Sequence, residues 1–186
     1  MNSSNKVKIM TTAALLCAIG IAIPMYSPFK IVIEPASFTL ASHVAVIIAM
    51  FISPTVGIFV ALGTSFGFLL GPFPIVVVLR ALSHVVFVAL GAFLLKKKPN
   101  LLLSYKTMLP FALLITLVHA VCEVIVSSAF YFSGSVTNSY LVSVIGLVGV
   151  GTLVHGMFDF FIAVLVWKPI QIVISIPANA RIKARA

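Results

Sequence analysis

Six apolar stretches follow one another along this chain, separated by one long loop and otherwise by prolines, glycines and short polar or lysine-rich links. They run over about residues 7–24, 38–52, 55–70, 75–95, 107–132 and 140–167. A helix that crosses a bilayer needs about 20 apolar residues, with a range of roughly 17–25. Only 8% of the 186 residues are charged and 62% are hydrophobic. A water-soluble domain of this length could not cover its surface with so few polar groups. The chain therefore reads as an all-α integral membrane protein of six transmembrane helices, one domain over residues 1–186. The apolar run after Lys6 and Lys8 lacks a clear small-residue cleavage site. It reads as the first membrane helix rather than a signal peptide.

The charges set the orientation. Lys6 and Lys8 precede the first span, Lys96, Lys97, Lys98 and Lys106 separate the fourth from the fifth, and Lys168, Arg181, Lys183 and Arg185 follow the sixth. With six spans all ten fall on one side, which the positive-inside rule makes cytoplasmic. Both termini are then inside. The net charge of +9 thus expresses topology rather than nucleic-acid binding. The opposite side carries only Lys30 and Glu34, both in a long first external loop over about residues 26–43. Pro24, Pro28 and Pro35 stiffen that loop, as expected of a lid rather than a tether. Cys17 and Cys122 fall inside spans with no CxxC spacing, so buried free thiols are expected.

Ionisable residues inside spans are rare and tend to mark function. The last three spans each carry a pair four residues apart: Arg80 with His84, His119 with Glu123, and His155 with Asp159. That spacing puts both members on one helix face. From the rise per residue, Arg80 lies about 9 Å and Glu123 about 13 Å below the outer ends of their helices. The three histidines come out near mid-depth and Asp159 deeper. One polar cavity in the outer half of the last three helices follows, covered by the first loop. Each residue also has a purely structural reading: Arg80 and Glu123 neutralise each other, and His119–Glu123 and His155–Asp159 form intrahelical hydrogen bonds, the reading favoured for Asp159. His43 opens the second span and either caps the loop or reaches the cavity. Asn138, Tyr140 and Ser143 stand near the same mouth, and Trp167 belongs by count to the cytoplasmic interface.

Small residues recur every four positions in the first span (Ala14, Ala18, Ala22) and the third (Gly57, Ala61, Ser65 on one face; Gly63, Gly67, Gly71 on another). Such stripes let backbones approach closely in lipid. They serve either internal packing or docking of a partner, and their concentration in the half of the chain poor in ionisable groups favours docking.

Six helices with both ends inside, the Ala14-x-x-x-Ala18 motif and the long lid-like loop resemble the substrate-binding S component of an energy-coupling factor vitamin transporter. The resemblance covers nearly the whole chain. The runs EPASFTLASH (34–43) and GPFPIVVVLR (71–80) make it most similar to the niacin-specific members. The resemblance implies a high-affinity substrate-binding subunit of an ABC importer in the cell membrane, and no enzyme. Its partners would be a coupling transmembrane protein, docked through helices one to three at Ala14, Ala18 and Ala22, and two cytoplasmic ATPases. The chain itself has no GxxxxGK[ST]. Arg80 would hold the vitamin's carboxylate. His84, His119 or Glu123 would meet the ring nitrogen, Phe73 and Tyr26 would cover the ring, and His43 would complete the site. No cofactor or resident metal is implied.

Four rivals stand beside this reading, and the blandest, a purely structural membrane subunit, leaves the ionisable residues clustered in the last three spans unexplained. The chain could be an S component for another vitamin. Its four histidines could bind metal or haem, although nickel- and cobalt-specific relatives rely on an N-terminal Met-His where this chain has Met1-Asn2-Ser3. An intramembrane enzyme is disfavoured, because neither GxSxG nor HExxH occurs.

Overall fold

The computed structural model describes residues 3–173 and 176–182. Lys183 and Arg185, invoked for the orientation, lie outside the described residues. The chain forms α1 (Ser3–Tyr26), β1 (Lys30–Ile33), β2 (Ala36–Thr39), α2 (Val44–Ile52), α3 (Pro54–Leu69), α4 (Ile75–Lys97), α5 (Tyr105–Tyr131) and α6 (Asn138–Val173). A single 3₁₀ turn, Pro99–Leu102, joins α4 to α5. Among the described residues α1, α4, α5 and α6 are long and apolar enough to cross a membrane. The chain is thus a mostly helical membrane protein.

Helix boundaries follow local chemistry. Ser53 Oγ accepts from Val56 N at 3.2 Å and Pro54 fills the first helical position, so α3 starts where one orphan donor is satisfied and another does not exist. Thr137 Oγ1 caps α6 through Tyr140 N. Lys96 and Lys97 close α4 at its negative end. The first half of α6 is wound more widely over Leu141–Val150, in i→i+5 pairing.

The second span departs from the sequence expectation. Instead of a helix over 38–52, Phe38 and Thr39 are in a strand, a turn follows, and α2 has nine residues, a length of about 13 Å. Lys30↔Thr39 and Ile33↔Ala36 bound an antiparallel hairpin in what reads as a loop in sequence. A two-stranded hairpin is marginal by itself. This one is seated on α6, where Phe38 packs against Gly151. A Cβ at Gly151 would come within 2.5 Å of the Phe38 ring.

All nine residues of α2 are buried, which fits its apolar-all-round sequence VAVIIAMFI. It is the axis of the molecule, packed against α1, α3, α4 and α6. Its last carbonyls, buried and needing donors, are met by the returning tail: Asn179 N reaches Ile52 O at 3.0 Å and Ala180 N reaches Phe51 O at 2.9 Å. Gln171 holds the tail through two bonds to Ile182. Trp167 is therefore not an interface anchor. It is buried against Phe51, with ring centroids 6.2 Å apart.

The stripes on α3 also differ from expectation. Gly57, Ala61 and Ser65 are buried, and Gly63 and Gly67 lie against Cys17 and Ile21 of α1. Internal packing uses both faces because only small residues allow so close an approach. Ala14, Ala18 and Ala22, by contrast, are exposed on the face of α1 away from its buried Ala13, Leu16 and Gly20. Cys17 and Cys122 are free thiols, each half-buried.

Candidate functional site

The three i,i+4 pairs converge with the start of α2. Arg80 of α4 donates through Nε to Glu123 Oε2 at 3.0 Å and through a second guanidinium nitrogen to the same oxygen. Thr152 Oγ1 of α6 donates to that oxygen too, at 2.9 Å. The remaining Arg80 terminal nitrogen reaches the Pro35 carbonyl of the hairpin at 3.3 Å. Glu123 Oε1 instead faces Nε2 of His84 and Nε2 of His119, at 3.7 and 3.9 Å.

A second carboxylate organises the other side. Asp159 Oδ1 accepts from Ala41 N at 2.8 Å, and Oδ2 accepts from His43 N at 2.9 Å. These are donors at the entry to α2, and a carboxylate supplied by another helix satisfies them. Ala41 has φ of 67°, a conformation that suits few residues other than glycine, and the Asp159 bond helps hold it. Asp159 Oδ2 also pairs with His43 Nδ1 at 2.9 Å and lies 3.3 Å from His155 Nε2. This buried acceptor is why α2 begins at Val44. Asp159 thus joins helices, through Ala41 and His43, as well as facing His155 within its own helix.

Above this network lies a cavity of about 490 Å³, within the range of small-molecule sites. Arg80, His84, Glu123, Thr152, His155 and His43 form its polar floor and wall. The hairpin covers it with Pro35, Phe38 and Thr39, and Lys30 and Glu34 stand at the rim. Phe73, on the α3–α4 link, lines it and stacks on Phe68 at 4.4 Å.

Of the site residues expected from sequence, Arg80, His84, Glu123, His43 and Phe73 line this cavity. His119 does not. It sits beneath, beside a small void shared with His43, Phe87 and Phe160. Tyr26 is 78% exposed at the end of α1, outside the lining. Asn138, Tyr140 and Ser143 are outside it as well, and Tyr140 OH instead pairs with Ser128 Oγ at 2.8 Å. Thr152, absent from the sequence expectation, was legible as the i−3 neighbour of His155 on the polar face of α6. Phe38 and Thr39 carried no such signal, because their role depends on the hairpin.

No family model matches the chain, and no solved structure matches it. Among curated proteins it is similar to the niacin transporter NiaX of Lactococcus lactis subsp. cremoris, with 43% identity over 161 residues that span 85% of this chain and 72% of that protein.

Proposed function

This chain belongs to the NiaX family of S components of energy-coupling factor transporters, and from that premise we propose that it captures niacin in the cavity beneath the hairpin. The observation that carries the reading is Arg80. It is a buried guanidinium that lines a vitamin-sized cavity and is anchored from behind by Glu123, which Thr152 in turn braces. Niacin is an aromatic ring bearing a carboxylate. The carboxylate binds the terminal nitrogen of Arg80 that otherwise meets the Pro35 carbonyl. Phe73 and Phe38 bound the ring, and the cavity-lining imidazoles of His84 and His155 face its nitrogen. The hairpin, which covers the cavity with Pro35, Phe38 and Thr39, acts as the lid.

The protein then has six membrane passages with both ends in the cytoplasm. Hairpin and α2 together make the second passage, which α2 is too short to make alone. The exposed alanine stripe of α1 docks the coupling protein, and two ATPases on separate chains power release. The chain binds and delivers without chemical turnover. Equilibrium dialysis of purified protein against labelled nicotinate, with nicotinamide, pantothenate, pyridoxine and biotin as competitors, tests this. Saturable binding displaced only by pyridine analogues supports it. Binding of another vitamin alone replaces the substrate and keeps the family.

A further inference from the structure

Three imidazoles and a carboxylate meet between the cavity floor and the void below it. His43, His84 and His119 come from three separate elements. Their ring centroids form a triangle with sides of 5.0, 4.7 and 4.8 Å. Glu123 Oε1 closes the figure, too far from His84 and His119 for hydrogen bonds. His119 is 2% exposed, and neither of its ring nitrogens has a hydrogen-bond partner among the described residues. Buried polar atoms of that kind are uncommon and costly. One nitrogen or oxygen from each of the four residues lies within 4.8 Å of the others. Tetrahedral zinc with bonds of about 2.0–2.1 Å holds its ligands about 3.3 Å apart, so modest side-chain rotations would close the shell.

The surroundings fit ligands rather than a core of stacked rings. His43 Nδ1 is engaged by Asp159, which leaves Nε2 with its lone pair for the cluster. A carboxylate behind a histidine is the usual orienting partner of a metal-bound imidazole. Glu123 divides its oxygens in the same way. Oε2 is taken by Arg80 and Thr152, and among the described residues Oε1 has only the two imidazoles before it. Charge points in the same direction. In the cavity lining Arg80 is already paired with Glu123, and Lys30 and Glu34 offset each other at the rim. An incoming carboxylate would meet no surplus of positive charge from these side chains, and a dication would supply one.

We propose that His43, His84, His119 and Glu123 bind a divalent transition-metal ion of the zinc class, whose charge helps hold the carboxylate of the bound vitamin. Three imidazoles with one carboxylate and no thiolate favour Zn²⁺, Co²⁺ or Ni²⁺ over Cu⁺, Mg²⁺ or Ca²⁺. The metal site stands on geometry alone, and its coupling to the ligand rests on the niacin reading above.

The full chain, purified through a histidine-free tag, is tested for metal by elemental analysis and by adding Co²⁺ to chelator-stripped protein. About one equivalent of metal and a visible Co²⁺ spectrum of low-coordinate type are expected. His119→Gln and Glu123→Gln should abolish both, whereas His155→Gln keeps them. A folded wild-type protein with neither metal nor spectrum overturns the site, as does retention in His119→Gln with loss in His155→Gln. If a variant does not fold, the wild-type spectrum still decides. Stripping should weaken nicotinate binding at least about tenfold, and Zn²⁺ should restore it. Equal nicotinate affinity with and without metal overturns the coupling alone. Metal binding with no nicotinate binding in either state overturns the vitamin reading and leaves the metal site standing.

Discussion

Asp159 and His43, 116 positions apart in sequence, are joined twice: one carboxylate oxygen accepts both the backbone N–H and the ring Nδ1 of His43, each at 2.9 Å. The pair ties the last helix to the start of the central one. It also fixes the imidazole at the boundary between the cavity and the buried cluster beneath it.

Removing that carboxylate should cost stability as well as binding. Asp159→Ala leaves the N–H groups of Ala41 and His43 without their acceptor, and loss of one partner from a buried charged network costs about 3–5 kcal/mol. A large fall in Tm of the detergent-solubilised protein, with loss of nicotinate binding, is expected. An unchanged Tm would show that water can replace the carboxylate.

Arg80 should be sensitive to shape and not only to charge. Arg80→Lys keeps the cation but loses the planar set of donors that meets Glu123 and Pro35 and that would meet the ligand in the proposed complex. Nicotinate affinity is expected to fall about 10–100-fold, or about 1.4–2.8 kcal/mol. Pairing Arg80→Ala with Glu123→Gln avoids a stranded buried anion, so that double variant should fold yet fail to bind. Wild-type affinity in either protein, measured by dialysis, would remove Arg80 from the site.

The hairpin should depend on the missing side chain at position 151. Gly151→Val would drive a Cβ into the Phe38 ring and unseat the lid. Faster nicotinate dissociation is the expected result. Combining it with Phe38→Ala should recover part of the loss, giving a coupling energy of about 0.5–3 kcal/mol in a double-mutant cycle. Strictly additive effects would place the contact outside the lid's closure.

Bulky residues on the exposed face of α1 should separate binding from transport. Ala14→Trp and Ala18→Trp lie away from the cavity, so nicotinate affinity of the isolated chain should be unchanged. Assembly with the coupling protein and cellular uptake should be lost. Normal uptake would move docking to another surface.

Much of this was legible in the linear chain because the relevant signals are local. Runs of apolar residues near the length of a bilayer crossing mark α1, α4, α5 and α6, and prolines and lysines mark their ends. A spacing of four gathers Arg80 with His84, His119 with Glu123, and His155 with Asp159, since helix geometry alone sets which residues share a face. Burial of an ionisable side chain in lipid is costly enough that these pairs had to face inward and meet one another.

The remainder rests on contacts between distant segments. Residues 30–39 form a hairpin that seats on α6 because Gly151 leaves room for Phe38, and Phe38 is a wall of the cavity rather than part of a helix. Asp159 takes the donors that precede Val44, which shortens α2, and the tail at Asn179 and Ala180 supplies donors for its other end. Trp167 is drawn into the core instead of the interface for the same reason: the fold-back of the tail covers it. Length, apolarity and helical period determined the helices and which polar residues lie within them. Tertiary packing alone decided that one carboxylate anchors Arg80, that another anchors His43, and that His119 is left beneath the cavity with two unpartnered nitrogens, because each depends on atoms brought together from segments more than thirty residues apart.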